Sequence, residues 1–312
     1  LLSWYTPSGL ATAMLQGDDA VDAFIKLAPP AISGELRRVR RAHGKRGSSF
    51  RWGIALLALF ILVPVLALGL FWIFGDEVSH WAADRVSQEQ KDRLGELAFE
   101  QMRPSLNLVE RGEVRETVEF IGVRVTTGSR NRYVFHVADA PEVNAFALPG
   151  GHVVVYTGLL RATQSANELA AVLAHEASHV EKRHTLRNLI HTLGWRAVLA
   201  AALGDFSNGI WGGMAAQLGS MRYSRDLERE ADGEALIMLR RAGVSPNGLL
   251  SFFERMAEHQ TADPGIWATH PSSQERIAAL RKQTALLAPY PNRTITVDWP
   301  RFERALAQLP VN

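Results

Sequence analysis

Between Arg51 and Asp76 the chain carries no charged side chain. The run covers residues 52–75, and its centre is almost entirely Leu, Ala, Ile, Val and Phe. Crossing the hydrocarbon of a bilayer takes about 20 apolar residues, so the run predicts one transmembrane helix over residues 53–75. Pro64 lies mid-run, where a membrane helix tolerates proline better than a soluble one does. Trp52 and Trp72 sit near the ends, where interfacial aromatics are favoured. The run is too long, and too far from residue 1, for a signal-peptide core.

Charge around the run sets an expected orientation. Residues 1–52 carry 8 Lys/Arg against 4 Asp/Glu, whereas residues 76–312 carry 26 against 28. Arg37, Arg38, Arg40, Arg41, Lys45, Arg46 and Arg51 precede the run, and Asp76, Glu77 and Asp84 follow it. Cytoplasmic flanks carry the excess of Lys and Arg. The expected layout is therefore a short cytoplasmic segment (1–52) with a basic juxtamembrane cluster, a single span (53–75) in the inner membrane, and an extracytoplasmic domain (76–312). A lipid bilayer is then one partner. The large domain is slightly acidic, which argues against nucleic acid as another.

The composition, 47% hydrophobic and 21% charged, is that of a folded chain. Cysteine is absent, which excludes a disulfide scaffold, a Cys nucleophile and a thiolate metal site. Ten histidines and the carboxylates remain as candidate metal ligands. Apolar periodicity predicts a helix over 87–102, ended by Pro104, then strands over 117–126 and 132–137 joined in a hairpin at Gly128-Ser129. An apolar stretch over 143–156 is interrupted by Pro149-Gly150-Gly151, a tight turn. Helices follow over about 166–184, 186–203, 214–241, 249–259 and 273–287, with a last one opening at Asp298. The fold class is α+β and mainly helical.

The helix over 166–184 opens with a capping box, Ser165 to Glu168, and carries His175-Glu176-Ala177-Ser178-His179. Positions i and i+4 share a helix face, so His175 and His179 can bind one metal ion. Glu176 is placed to hold and deprotonate a metal-activated water. A catalytic zinc site takes three protein ligands and keeps one position open. The best third candidate is Glu228, with Asp232 four residues on and able to accept the free ring N–H of a ligand histidine. Glu230 points about 200° around the helix from Glu228 at 3.6 residues per turn, which makes it the weaker candidate. Two histidines and a glutamate suit zinc, one Zn2+ per chain.

His175 to His179 followed by Ser224-Arg225-Asp226-Leu227-Glu228-Arg229-Glu230-Ala231-Asp232 resembles the gluzincin family of the CAAX prenyl proteases and HtpX heat-shock proteases, including its periplasmic BepA-like members. Three further stretches are similar to the family pattern. They are residues 144–151 with 156–160, residues 167–174, and Thr269-His270-Pro271 with Glu275-Arg276-Ile277. The resemblance covers about residues 85–285. It implies a zincin-type metallopeptidase domain with a small sheet beside the active site. It also implies zinc ligation by His175, His179 and Glu228, Glu176 as general base, and Asp232 as the residue supporting a ligand histidine. Asn144, Ala145, Phe146, Ala147 and Leu148 would form an edge strand that pairs with an extended substrate backbone. His270 would either stabilise the oxyanion or fill the open metal position in a latent state. Tyr223 is a weaker oxyanion donor. His184 and His191 lie off the ligand spacing and are expected to be exposed, and His152 is expected to face the cleft.

Residues 197–218 are apolar, rich in small residues and interrupted by Gly204, Gly209, Gly212 and Gly213; they are expected to form a lid over the cleft. The leading function is a membrane-anchored zinc endopeptidase acting on unfolded or misassembled envelope or membrane proteins. The alternative is a chaperone-like module that holds clients through the edge strand around a structural zinc.

Overall fold

The computed structural model describes residues 2–193, 221–258, 266, 269–271, 274–286 and 295–309. The chain divides into two compact units, Leu1–Ile73 and Phe74–Asn312. The predicted lid at 197–218 lies outside the described residues.

The first unit opens with a hairpin. Strand β1 (Leu2–Thr6) pairs antiparallel with β2 (Gly9–Ala13), with Thr6 opposite Gly9 across the Pro7-Ser8 turn. Helix α1 (Asp18–Leu27) follows, and α2 (Pro30–Arg85) begins at a proline, which suits a first helical position. Arg40 reaches back to Asp18 at 2.5 Å and Asp22 at 3.2 Å, tying α1 to α2. The uncharged run lies inside α2, with Pro64 in the helix and Ile54, Leu57, Phe60 and Val65 exposed. Among the described residues no helix is long and apolar enough to cross a membrane. The side chains of residues 70–75 lie outside those described.

The second unit is built on a three-stranded sheet of β3 (Val134–Ala138), β4 (Ala145–Ala147) and β5 (His152–Tyr156), in the order β3-β5-β4. β3 runs parallel to β5, and β4 antiparallel to it. Pro149-Gly150-Gly151 closes the β4–β5 turn as expected, with φ of 77° at Gly150 and 96° at Gly151. Both values are left-handed and favour glycine.

Phe135, Val137, Val153 and Val155 point to one face of the sheet, where they meet α4 (Glu113–Val125), α5 (Thr157–Ala162) and α6 (Ala166–Glu181). Ala138, Phe146, Leu148 and Val154 point to the other face. There they meet α3 (Gln88–Met102) and α7 (His184–Leu193). Ser87 caps α3 through a complete capping box with Gln90. Among the described residues, α8 (Arg225–Ala242), α9 (Asn247–Glu258) and α10 (Gln274–Leu286) follow α7, and α11 (Trp299–Ala307) opens on Asp298.

One expected element is overturned. Residues 117–126 are not a strand but most of α4. The buried positions of α4, Val114, Thr117, Val118, Ile121, Gly122 and Val125, recur at helical spacing. The alternation that suggested a strand depends on Phe120 and Val123, which are 56% and 55% exposed. The hairpin at Gly128 is therefore a helix-to-strand turn. Gly122 lets α4 lie against the Phe135 ring, which a Cβ there would strike.

Candidate metal centre

Helix α6 passes through the core of the second unit. From Leu169 to Val180 every residue of it is buried. Ser165 caps it by accepting the Glu168 N–H at 3.2 Å. The Glu168 carboxylate does not reach back to Ser165; it accepts the Gln164 N–H at 2.9 Å and pairs with Arg255. Burial fixes the rotation of α6 about its axis, and His175 and His179 then face α8 together.

On α8, Ser224 caps the first turn and Glu228 and Asp232 lie on one face, both buried. His175 Nε2 is 3.2 Å from His179 Nε2 and 3.4 Å from Glu228 Oε2. His179 Nε2 is 3.6 Å from Glu228 Oε1. His270 joins them from the short segment before α10, with its N–H bonded to Ile266 C=O at 2.8 Å. Its Nδ1 is 3.0 Å from Glu228 Oε1 and 3.4 Å from His175 Nε2. One donor atom from each of these four residues lies within 4.8 Å of all the others. Metal–ligand bonds of about 2.1 Å in a tetrahedron place ligand atoms ~3.4 Å apart. The observed spacings bracket that value, so the donor set fits a zinc ion.

The partners behind these donors are charged. His175 Nδ1 is 3.1 Å from Asp232 Oδ1. Arg276, 3% exposed on α10, grips Asp232 with two nitrogens at 2.6 and 2.8 Å and Glu228 Oε2 with a third at 2.6 Å. Burial alone would raise the Glu228 pKa, but His270 and Arg276 hold the carboxyl well below its usual range. Burial would lower the pKa of His175, yet Asp232 and Glu228 together push it up to about 9. His179 lies well below the ordinary histidine value, chiefly through burial.

Glu176 is fully buried, and neither carboxylate oxygen has a hydrogen-bond partner among the described residues. His270 Nε2 lies 3.5 Å from its Oε1. Burial raises its pKa, as a general base working near neutrality requires.

Residues 144–148 do include an edge strand. Asn144 and Leu148 bond to β5, through Tyr156 N–H at 3.0 Å and His152 C=O at 2.8 Å. Ala145 and Ala147 therefore turn their backbone groups outward. Of these, Ala145 N–H lies 2.9 Å from Asn144 Oδ1, and Ala147 C=O accepts the Thr185 hydroxyl at 3.0 Å. Thr269 donates to Asn144 Oδ1 at 3.2 Å, joining the strand to the His270 segment.

Two expectations about side chains fail. His184 is fully buried rather than exposed, with Nδ1 3.0 Å from His179 Nδ1 and Nε2 3.1 Å from Glu230 Oε2. His152 turns away from the four-donor cluster, stacks on Phe99, and has Glu96 3.2 Å from its Nε2. The Tyr223 hydroxyl is engaged with Thr185 at 2.9 Å while its ring stacks on His179. Arg276 was visible only as part of the histidine-proline-arginine element, and nothing in its position announced the clamp on two carboxylates. The side chain of His191 lies outside the described residues.

The chain matches the family model described as peptidase family M48 over residues 109–284. It is 29% identical to the beta-barrel assembly-enhancing protease of Yersinia pestis over 228 residues, covering 67% of this chain and 47% of that protein. It is 34% identical to the metalloprotease LoiP of Escherichia coli strain K12, over 47% of this chain and 61% of LoiP. It is 35% identical to the mitochondrial metalloendopeptidase OMA1 of Schizosaccharomyces pombe, over 51% of this chain and 49% of that protein. The chain thus spans about half the length of the assembly-enhancing protease and OMA1.

Proposed function

The chain belongs to peptidase family M48; we propose that it is a zinc metalloendopeptidase, held at the inner membrane, that cuts unfolded or misassembled envelope proteins. The observation that carries the catalytic reading is a fully buried Glu176 with no hydrogen-bond partner among the described residues, set beside four converging donor atoms. A client-holding module has no use for such a carboxylate.

In this reading His175, His179 and Glu228 hold the zinc. Bound there, zinc supplies a Lewis acid for the scissile carbonyl and lowers the pKa of water. Glu176 takes the proton of the attacking water and passes it to the leaving amine. Asp232, oriented by Arg276, accepts the ring N–H of His175 and leaves Nε2 free to ligate. Ala145 and Ala147 offer backbone groups to an extended substrate, a mode that reads main chain and suits clients of varied sequence. The closeness of His270 Nδ1 to two proposed ligands supports the latent role over the oxyanion role, with His270 filling the position a substrate would take.

Three observations support the layout. The first is the uncharged run at 52–75 and the second is the basic cluster before it. The third is that two of the bacterial relatives are named for beta-barrel assembly or as a metalloprotease. Residues 1–52 would then be cytoplasmic, 53–75 the anchor, and 76–312 extracytoplasmic.

The test is cleavage of casein by the full chain, wild type beside Glu176→Gln. Loss of the base is expected to cut kcat by about 10²–10⁴ with one zinc still bound. Equal cleavage by both proteins would end the catalytic assignment of Glu176. Zinc binding with no cleavage by either would favour latency, and His270→Ala should then switch cleavage on.

A further inference from the structure

Helix α6 ends two residues after His179. Lys182 closes it, with its N–H bonded to Ser178 C=O at 2.9 Å. Arg183 then takes a φ of 58°, the single left-handed non-glycine residue among those described. A residue with a Cβ adopts that conformation only at a steric cost. The turn folds the chain back, and the next residue, His184, opens α7 directly behind His179. His184 is 0% exposed and is not one of the four donors.

With His179 Nε2 as a zinc ligand, the hydrogen-bond roles along this line follow. His179 turns Nε2 toward His175 and Glu228, so its Nδ1 carries the ring proton when Nε2 serves as ligand. That N–H points at His184 Nδ1, 3.0 Å away, which must therefore be an acceptor. A neutral imidazole that accepts at Nδ1 carries its proton on Nε2. His184 Nε2 lies 3.1 Å from Glu230 Oε2, an oxygen that can only accept. Each link thus has one donor and one acceptor, and no other tautomer satisfies all three groups. Arg187, on the next turn of α7, lies 3.4 Å from the same Glu230 oxygen and holds it in place.

We propose that His184, backed by Glu230, is a positioning residue for the metal centre: it fixes the tautomer and ring plane of His179 so that Nε2 faces the zinc. This rests on the zinc-site reading above. It makes the two histidines of the motif differently supported. His175 leans on a carboxylate directly, through Asp232. His179 leans on a carboxylate one imidazole away, through His184. Outer partners of this kind set ligand orientation and basicity. His184 lies behind His179 from the donor atoms, so it acts only through that ring.

The test separates the acceptor from the bulk of the ring. Asparagine places its Oδ1 near the position of histidine Nδ1 and can accept the His179 N–H; phenylalanine fills the space and cannot. Zinc affinity of the full chain would be measured by competition with a chromophoric chelator for wild type, His184→Asn, His184→Phe and Glu230→Ala. Cobalt-loaded spectra of the same proteins would report ligand geometry. His184→Phe is expected to bind zinc roughly 10- to 100-fold more weakly and to shift the cobalt bands. His184→Asn should stay near wild type in both, and Glu230→Ala should fall between. In cleavage assays kcat should fall in His184→Phe with KM unchanged, because His184 touches no substrate.

Wild-type affinity in His184→Phe would overturn the proposal. So would equal losses in the Asn and Phe variants, which would mean that the ring serves only as filling. If His184→Phe does not fold, Glu230→Ala decides: weakened zinc binding upholds the chain of bonds, and unchanged binding overturns it. A wild-type chain that takes up no zinc would sink the metal centre itself, and this support with it.

Discussion

Two clusters of histidines, one fully and one partly buried, lie among the described residues of the second unit, and they differ in where their nitrogens point. At the metal centre His175, His179 and His270 turn donor atoms toward a common point shared with Glu228. On the other side of the sheet His136 and His152 sit side by side against Phe99, their rings within 7° of parallel. Their nearest nitrogens are 3.1 Å apart and the ring centroids 5.4 Å, so the two lone-pair directions lie along one line. That is the geometry of an N–H···N bond, with Glu96 closing the row at 3.2 Å from His152 Nε2. Burial, histidine and a carboxylate are common to both clusters. Convergence belongs to one, and convergence is what a metal requires.

Zinc itself gives the largest contrast. At free zinc 1,000-fold above its Kd, the wild type should gain about 4 kcal/mol of stability, read as a rise in Tm. His136→Phe should gain the same and His175→Ala almost nothing. A loss of the gain in His136→Phe would place metal in the wrong cluster.

The pH dependence should differ in sign. His175 has its folded pKa raised to about 9, so its stabilising interactions are complete below the unfolded value near 6.5 and fade as pH rises through 9. Zinc-free protein should lose on the order of 3 kcal/mol across that window. Zinc-loaded protein should not, because a ligand imidazole is already deprotonated. A Tm of the zinc-free protein that is flat from pH 6.5 to 9 would refute the assignment.

His136 is shifted the other way, down to about 4, first by burial and then by the neighbouring His152. Its folded state resists protonation, so stability should fall as pH drops from about 6.5 toward 4. The loss should be smaller than at His175, because the ring is only half-buried and solvent screens it. His136→Phe should flatten this acid limb and leave the alkaline one untouched; an unchanged acid limb would assign it to other groups.

The same contrast explains which features the sequence made legible. Helical periodicity put His175 with His179, and Glu228 with Asp232, because spacing of four along a helix is geometry that no packing alters. The Pro149-Gly150-Gly151 turn was legible for a like reason. Residues 117–126 misled because β-branched residues and two exposed apolar side chains imitate strand alternation. His184 misled because its place was judged as though α6 continued, and the reversal at Arg183 uses a residue that gives no signal for left-handed backbone. Arg276 required knowledge of which helices meet, which local pattern does not contain.

The edge strand β4 has a consequence beyond catalysis. An exposed strand edge invites other copies of the same chain to add to it, and natural sheets defend such edges. Here the strand is three residues long, with one outward N–H facing the Asn144 side chain and one outward carbonyl taken by Thr185. What remains is too little to template a growing sheet. The shortness of the strand thus works as protection against self-association.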